Sequence, residues 1–174
     1  ASALHGGSQE ERLNISGGGH ENEPLTRADV GVHHRVRMRG SFLTCSVIAG
    51  MVIHVNGATG DNANDGADWA TAKQTVAAGL AAATSGDEVW VAAGTYAERI
   101  TLKDGVALYG GFAGNETELS QRNWAVNQTI LDGRQGGTVV TAPQTATATT
   151  RIDGFTIRNG KAANGGGIYC YNSP

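Results

Sequence analysis

The sequence predicts an all-β protein, a right-handed parallel β-helix that starts with a short capping helix and follows a disordered tail. Three observations predict this class. Glycine accounts for 26 of the 174 residues, whereas proline accounts for only 3. Short runs of β-forming residues recur from residue 88 onward, and most of them end at a glycine-containing turn. No helical periodicity appears after residue 86.

The first 37 residues predict a disordered or non-native tail. They contain no Phe, Tyr or Trp, so they can bury little apolar surface to offset the entropy of ordering. Residues 38–50 have the pattern of a short secretory signal peptide, in which Arg35, Arg37 and Arg39 precede an apolar run that ends at small residues near Ala49. A buried strand is the alternative interpretation of this run.

The third predicted segment, residues 51–174, begins with a β-branched strand at 51–55 and continues into a short helix. Thr75 has the side chain of an N-cap, and Val76, Leu80 and Ala83 fall on one helical face. Gly79 inside this helix costs about 1 kcal/mol relative to alanine. A helix with one apolar face is suited to cover the open end of a stack of coils.

Three similar units predict the repeat of the solenoid. They begin at residues 106, 129 and 155, and each is a short β run followed by glycine. A period of 20–30 residues without helices is typical of stacked coils. An antiparallel sandwich is the competing architecture, but its hairpins would keep a more constant connection length than this sequence shows.

Several of these segments resemble the N-terminal part of secreted bacterial right-handed parallel β-helix proteins of the broad pectate-lyase-like group. The resemblance rests on residues 53–57, the loop at 61–66, residues 86–96 and 106–112, and the units at 154–160 and 165–169. It implies a secreted or cell-surface location in bacteria. Because the sequence stops at Pro174 directly after a predicted strand, we also expect a truncated segment that holds the cap and first coils. Its partners would be the remaining coils of the full-length protein.

The oxygen-rich loop after the first strand offers candidate metal ligands, Asp61, Asn64 and Asp65. Calcium prefers such oxygen ligands, but the spacing does not fit an EF-hand, because Ala63 and Ala72 occupy ligand positions. The alternative is that these side chains bond their own backbone and hold the turn. Apart from a possible calcium ion, the sequence predicts no cofactor.

Exposed aromatic and basic side chains are the candidates for carbohydrate binding. We expect Trp90, Trp124 and Tyr109 to offer rings on which sugars can stack, and Arg158 to offer a charged donor. The alternation at residues 89–91 places Trp90 on the face opposite its valine neighbours, where it could also pack under a loop. No catalytic residue is predicted.

Charge and hydropathy narrow the class of partner. A net charge of −3 argues against nucleic acid, and no apolar run reaches the ~20 residues of a membrane span. The leading hypothesis is a secreted or cell-surface segment, non-catalytic in this region, that binds polysaccharide or a cell-surface glycan or mediates adhesion. The alternative is a piece of a calcium-dependent polysaccharide lyase of the pectate type, whose catalytic coils lie beyond residue 174.

Overall fold

The structure, a computed structural model, describes residues 32–38, 41–47 and 50–171. The chain divides into two compact units, residues 1–46 and 47–174. Strands β1 (Val32–Met38) and β2 (Ser41–Val47) form a two-stranded sheet. Most of the predicted tail, and the end of the predicted signal peptide, lie outside the described residues. The predicted boundaries after residues 37 and 50 therefore stay predictions.

Short strands dominate the described part of the second unit, together with one α-helix and one 3-10 helix. The elements are β3 (Val52–Val55), α1 (Val76–Ala82), β4 (Glu88–Ala92), β5 (Gly94–Tyr96), β6 (Ile100–Thr101), β7 (Ala107–Phe112), the 3-10 helix Leu119–Gln121, β8 (Thr129–Asp132), β9 (Val140–Ala142), β10 (Arg151–Asp153), β11 (Phe155–Arg158) and β12 (Ile168–Cys170).

These strands assemble into three small sheets. The largest has the strand order β10-β7-β4-β3, the second β11-β8-β5 and the third β12-β9-β6. Every described pair in the three sheets is parallel. Paired strands lie far apart in the sequence because a parallel pair needs a crossover connection.

The predicted parallel β-helix is wrong as the fold class. The described part of the second unit consists of three separate small sheets with one α-helix and one 3-10 helix. The three segments interpreted as one repeat do not occupy equivalent places in these sheets. The unit at 106–111 belongs to β7 of the four-stranded sheet, whereas those at 129–133 and 155–160 belong to β8 and β11 of a different sheet. They look alike because any short strand that ends at a glycine turn has this composition.

The helix α1 matches its predicted limits within one residue at either end. The Thr75 side chain accepts a hydrogen bond from the amide of Ala78 at 3.2 Å, which confirms the predicted N-cap. The Glu98 carboxylate accepts two more from Val76 and Ala77, each at 3.0 Å, so most of the unpaired amides of the first turn are satisfied. Neither helix of the described residues is long and apolar enough to cross a membrane.

The helix packs its apolar face into the main hydrophobic core. Val76 and Leu80 are buried in one cluster with Val55 and Val89 of the four-stranded sheet. Gly79 is required by this contact, because a Cβ at that position would lie 2.6 Å from a methyl group of Val55. The packing therefore explains a glycine that local helix propensity disfavours.

The two faces of the four-stranded sheet carry different residues. Val89 and Val91 of β4 point into the main core, while Trp90 belongs to a second cluster on the opposite face, which we call the outer face. The predicted orientation of Trp90 is therefore confirmed. In the parallel register, Trp90 lies between His54 of β3 and Tyr109 of β7.

A β-bulge interrupts this register near the end of β7. Trp90 pairs with Tyr109, but Ala92 pairs with Phe112, so β7 contains one extra residue at the Gly110–Gly111 step. Gly111 has a φ of 97°, a conformation that side chains with a Cβ rarely adopt. The extra residue turns the Phe112 ring to the outer face, beside Trp90.

Candidate functional site

Four rings pack together at one end of the outer face, and we call them the aromatic cluster: His54, Trp69, Trp90 and Phe112. The rings of Trp90 and Phe112 are stacked, with centroids 4.7 Å apart and 12° between their planes. The Trp69 ring lies 4.6 Å from His54 and 5.6 Å from Phe112. Because Trp69 comes from the loop after β3, this packing holds that loop against the sheet.

A second arrangement on the outer face consists of Tyr109, Arg122 and Trp124, and we call it the cation–π stack. The Arg122 guanidinium carbon lies 5.0 Å from the centroid of the Tyr109 ring and 5.4 Å from that of Trp124. Arg122 also donates to the carbonyl of Gly110 at 3.3 Å and to the carboxylate of Asp153 at 3.0 Å. These contacts fix the guanidinium, which in turn supports the exposed Trp124.

The bulge anchors the loop that carries the cation–π stack. The Gly111 amide donates to the Thr129 hydroxyl at 2.9 Å, and the Gly111 carbonyl accepts from the Asn123 amide at 2.8 Å. A Cβ on Gly111 would lie 2.9–3.0 Å from the backbone and Cβ of Trp124. The loop therefore approaches β7 more closely than any residue other than glycine allows.

The predicted carbohydrate-binding residues differ in exposure and in the sheet to which they belong. Trp90 and Tyr109 are 5% and 7% exposed, so their rings serve mainly as packing surface, whereas Trp124 is 61% exposed. Arg158 lies on β11 of another sheet and binds Asp132 at 2.9 Å. Arg122 connects Tyr109 with Trp124, and sequence reasoning missed it because its partners lie on β7 and β10.

The predicted metal-ligand residues hold turns in this structure. An Asp61 oxygen accepts from the Ala63 amide at 2.9 Å, and an Asp65 oxygen accepts from the Ala67 amide at 3.0 Å. The Asn64 amide group donates to the carbonyl of Ala72 at 3.2 Å. The bonds of Asp61 and Asp65 are the local side-chain-to-backbone bonds expected of Asx turns, whereas the Asn64 bond joins the loop to a residue eight positions later.

The ammonium group of Lys73 places a positive charge against this loop. The Lys73 ammonium donates to the carbonyl of Asn62 at 3.2 Å and to the carbonyl of Asn64, which are the kind of oxygen atoms that a bound cation would use. Among the described residues, no group of three or more His, Cys, Asp or Glu side chains could hold a metal ion. Calcium binding at this loop stays a prediction.

A pocket of about 280 Å³ opens at the edge of the aromatic cluster. The pocket is lined by Val52, His54, Asp68, Trp69, Trp90, Asn115, Glu116 and Thr117. Burial lowers the pKa of His54, and this effect outweighs the hydrogen bond to Gly66 and the charge of Asp68, both of which favour protonation. The imidazole is therefore neutral near pH 7.

Glu116 organises the loop on the far side of this pocket. Its carboxylate accepts hydrogen bonds from the amides of Ala113, Gly114 and Asn115 at 2.6–3.1 Å, and its carbonyl accepts the Trp69 indole N–H at 2.8 Å. Burial alone would raise the pKa of Glu116, but the amide hydrogen bonds together outweigh burial and lower it.

No protein-family model matches the chain, and neither a curated protein nor a solved structure matches it. On the outer face, the two features with the geometry of a binding site are the cation–π stack and the pocket beside the aromatic cluster.

The contacts of Lys73 predict that its charge stabilises the loop. We expect Lys73→Met to lower the free energy of unfolding by about 1 kcal/mol, because two carbonyl groups lose a charged donor. Urea unfolding measures this loss. The matched control is Lys161→Met, since Lys161 is exposed and its side chain makes no hydrogen bond among the described residues. Equal stability of the two variants would contradict the assigned role.

The lowered pKa of Glu116 predicts a pH-dependent contribution to stability. A depressed carboxyl pKa adds stability that is complete above the ordinary glutamate pKa of about 4.3 and is lost as the pH falls through the folded value. We expect Glu116→Gln to be less stable than the parent by about 2 kcal/mol at neutral pH. Urea unfolding between about pH 7 and 3 should show this gap narrowing below about pH 4.3. A gap that does not change with pH would argue against a charged Glu116.

Proposed function

We propose that this chain belongs to a secreted or cell-surface bacterial protein that binds polysaccharide or a cell-surface glycan through the outer face of its four-stranded sheet, without catalysis in this region. The observation that carries the proposal is the cation–π stack, in which a largely exposed tryptophan is held in place by an arginine.

Trp124 has the properties of a sugar-stacking platform. Its side chain is 61% exposed, and Val126, two residues later, is 75% exposed. A pyranose ring presents C–H groups on its faces and hydroxyl groups at its edge, so it can cover an aromatic ring while its polar atoms stay in water. Such amphipathic contacts are a main use of exposed tryptophan at recognition sites.

The platform is organised before any ligand arrives. Arg122 is held by Gly110 and by Asp153, and the loop that carries Trp124 is held by Gly111. A contact surface that is already ordered loses less conformational entropy on binding. The Asp153 carboxylate also compensates the Arg122 charge, so the stack itself offers an apolar surface with little net charge.

If Trp124 is the stacking platform, Trp124→Ala reduces glycan binding more than alanine substitution of a neighbouring exposed residue does. We expect the affinity of the 174-residue chain for its best polysaccharide to fall by about tenfold or more, as for an aromatic anchor that a bound ligand covers. The measurement is binding to a panel of immobilised polysaccharides, including polygalacturonate, xylan, chitin and chitosan, followed by titration of the best one.

Val126→Ala is the matched control, because it removes exposed apolar surface from the same loop. We expect it to change the affinity less than twofold, and circular dichroism checks that both variants fold. A blank panel for the parent chain, or equal effects of the two substitutions, would contradict the proposed function. Arg158 stays a predicted contact on a different sheet.

A further inference from the structure

The pocket beside the aromatic cluster contains a hydrogen-bond acceptor that its surroundings leave unused. His54 is 8% exposed, and its Nδ1 lies 3.2 Å from the carbonyl of Gly66. A carbonyl can only accept, so Nδ1 carries the proton and Nε2 of the neutral ring keeps its lone pair. No described residue donates to Nε2.

Solvent can reach this nitrogen. Among the described residues, every fully buried side-chain nitrogen or oxygen has a hydrogen-bond partner. Nε2 has none, so it is not sealed inside the protein, and His54 is one of the residues that line the pocket. Because Nε2 is open to solvent, a donor group on a ligand can bond its lone pair in place of water.

The charges around the pocket have one sign. Asp68 uses one carboxylate oxygen to accept from the amide and the hydroxyl of Thr71, and these bonds lower the pKa of Asp68. The backbone of Ala70 acts in the same direction, and Asp68 is an exposed residue. Glu116 is also ionised at neutral pH, and no lysine or arginine of the described chain lines the pocket. An anionic ligand would be repelled here, and a cationic one attracted.

The walls of the pocket suit a sugar ring that carries a positive charge. The half-buried Trp69 offers an aromatic face, which attracts both C–H groups and cations. The pocket volume of about 280 Å³ lies just below the usual range for drug-sized ligands. A pocket of this size is suited to a single monosaccharide unit.

We propose that this pocket binds the ammonium-bearing unit of an amino-sugar chain, with Asp68 facing the ammonium, His54 Nε2 accepting from a donor of the sugar and Trp69 packing against the ring. The inference rests on the proposed glycan binding and narrows it to one substrate class. It also gives roles to His54 and Asp68, which the sequence did not single out as sugar contacts.

Isothermal titration with three hexamers of defined charge tests the inference. Glucosamine, N-acetylglucosamine and galacturonate hexamers represent cationic, neutral and anionic sugars. We expect the glucosamine hexamer to bind about tenfold or more tightly than the N-acetylglucosamine hexamer, and the galacturonate hexamer to bind most weakly. Binding should also shift the NMR signal of His54 Nε2.

Asp68→Asn separates the pocket from a general attraction between a polycation and an acidic protein. Asparagine keeps the oxygen that accepts from Thr71 and removes only the charge, so the fold is preserved. The matched control is Asp61→Asn, which also retains its turn but lies outside the pocket lining. We expect Asp68→Asn to reduce glucosamine-hexamer affinity by about fivefold or more, and Asp61→Asn to leave it unchanged.

The outcomes distinguish this inference from the function on which it rests. Equal affinity for the three hexamers, tightest binding of galacturonate, or equal effects of Asp68→Asn and Asp61→Asn would overturn the amino-sugar inference and leave glycan binding in place. If no hexamer binds, the inference is overturned, and a blank polysaccharide panel in addition would overturn the proposed function as well.

Discussion

The β-bulge at Gly110–Gly111 is the constraint on which the outer face depends. One extra residue in β7 shifts the register between Trp90 and Ala92, and as a result the Phe112 ring lies against Trp90 instead of entering the main core. The same step frees backbone groups that no longer pair in the regular ladder. These groups bind the loop that carries Arg122 and Trp124.

The aromatic cluster and the cation–π stack are therefore two consequences of one local irregularity. On one side of the bulge, Phe112 completes the packing that brings Trp69 and its loop over the sheet. On the other side, Arg122 is fixed between two rings. Recognition sites on loops need a rigid support, and here the support is the outer face of a sheet whose opposite face is buried in the main core.

The sequence predicted the elements formed by neighbouring residues better than their assembly. The N-cap of Thr75 and the outward direction of Trp90 depend on a few adjacent positions, and both are confirmed. The solenoid was wrong because a strand followed by glycine looks the same in any of the three sheets. Arg122 was missed because its partner Asp153 is 31 residues away, and the pocket depends on a cross-strand register that composition does not contain.

The most direct test of this account compares the unfolding free energies and near-ultraviolet circular dichroism of Gly111→Ala and Gly86→Ala. Both glycines have a φ of 97°, so alanine costs about 1–2 kcal/mol at either position. A Cβ at residue 86 meets nothing within 4 Å, whereas one at residue 111 meets Trp124. We predict a distinctly larger loss and an altered aromatic signal for Gly111→Ala alone; equal losses with unchanged spectra would contradict the account.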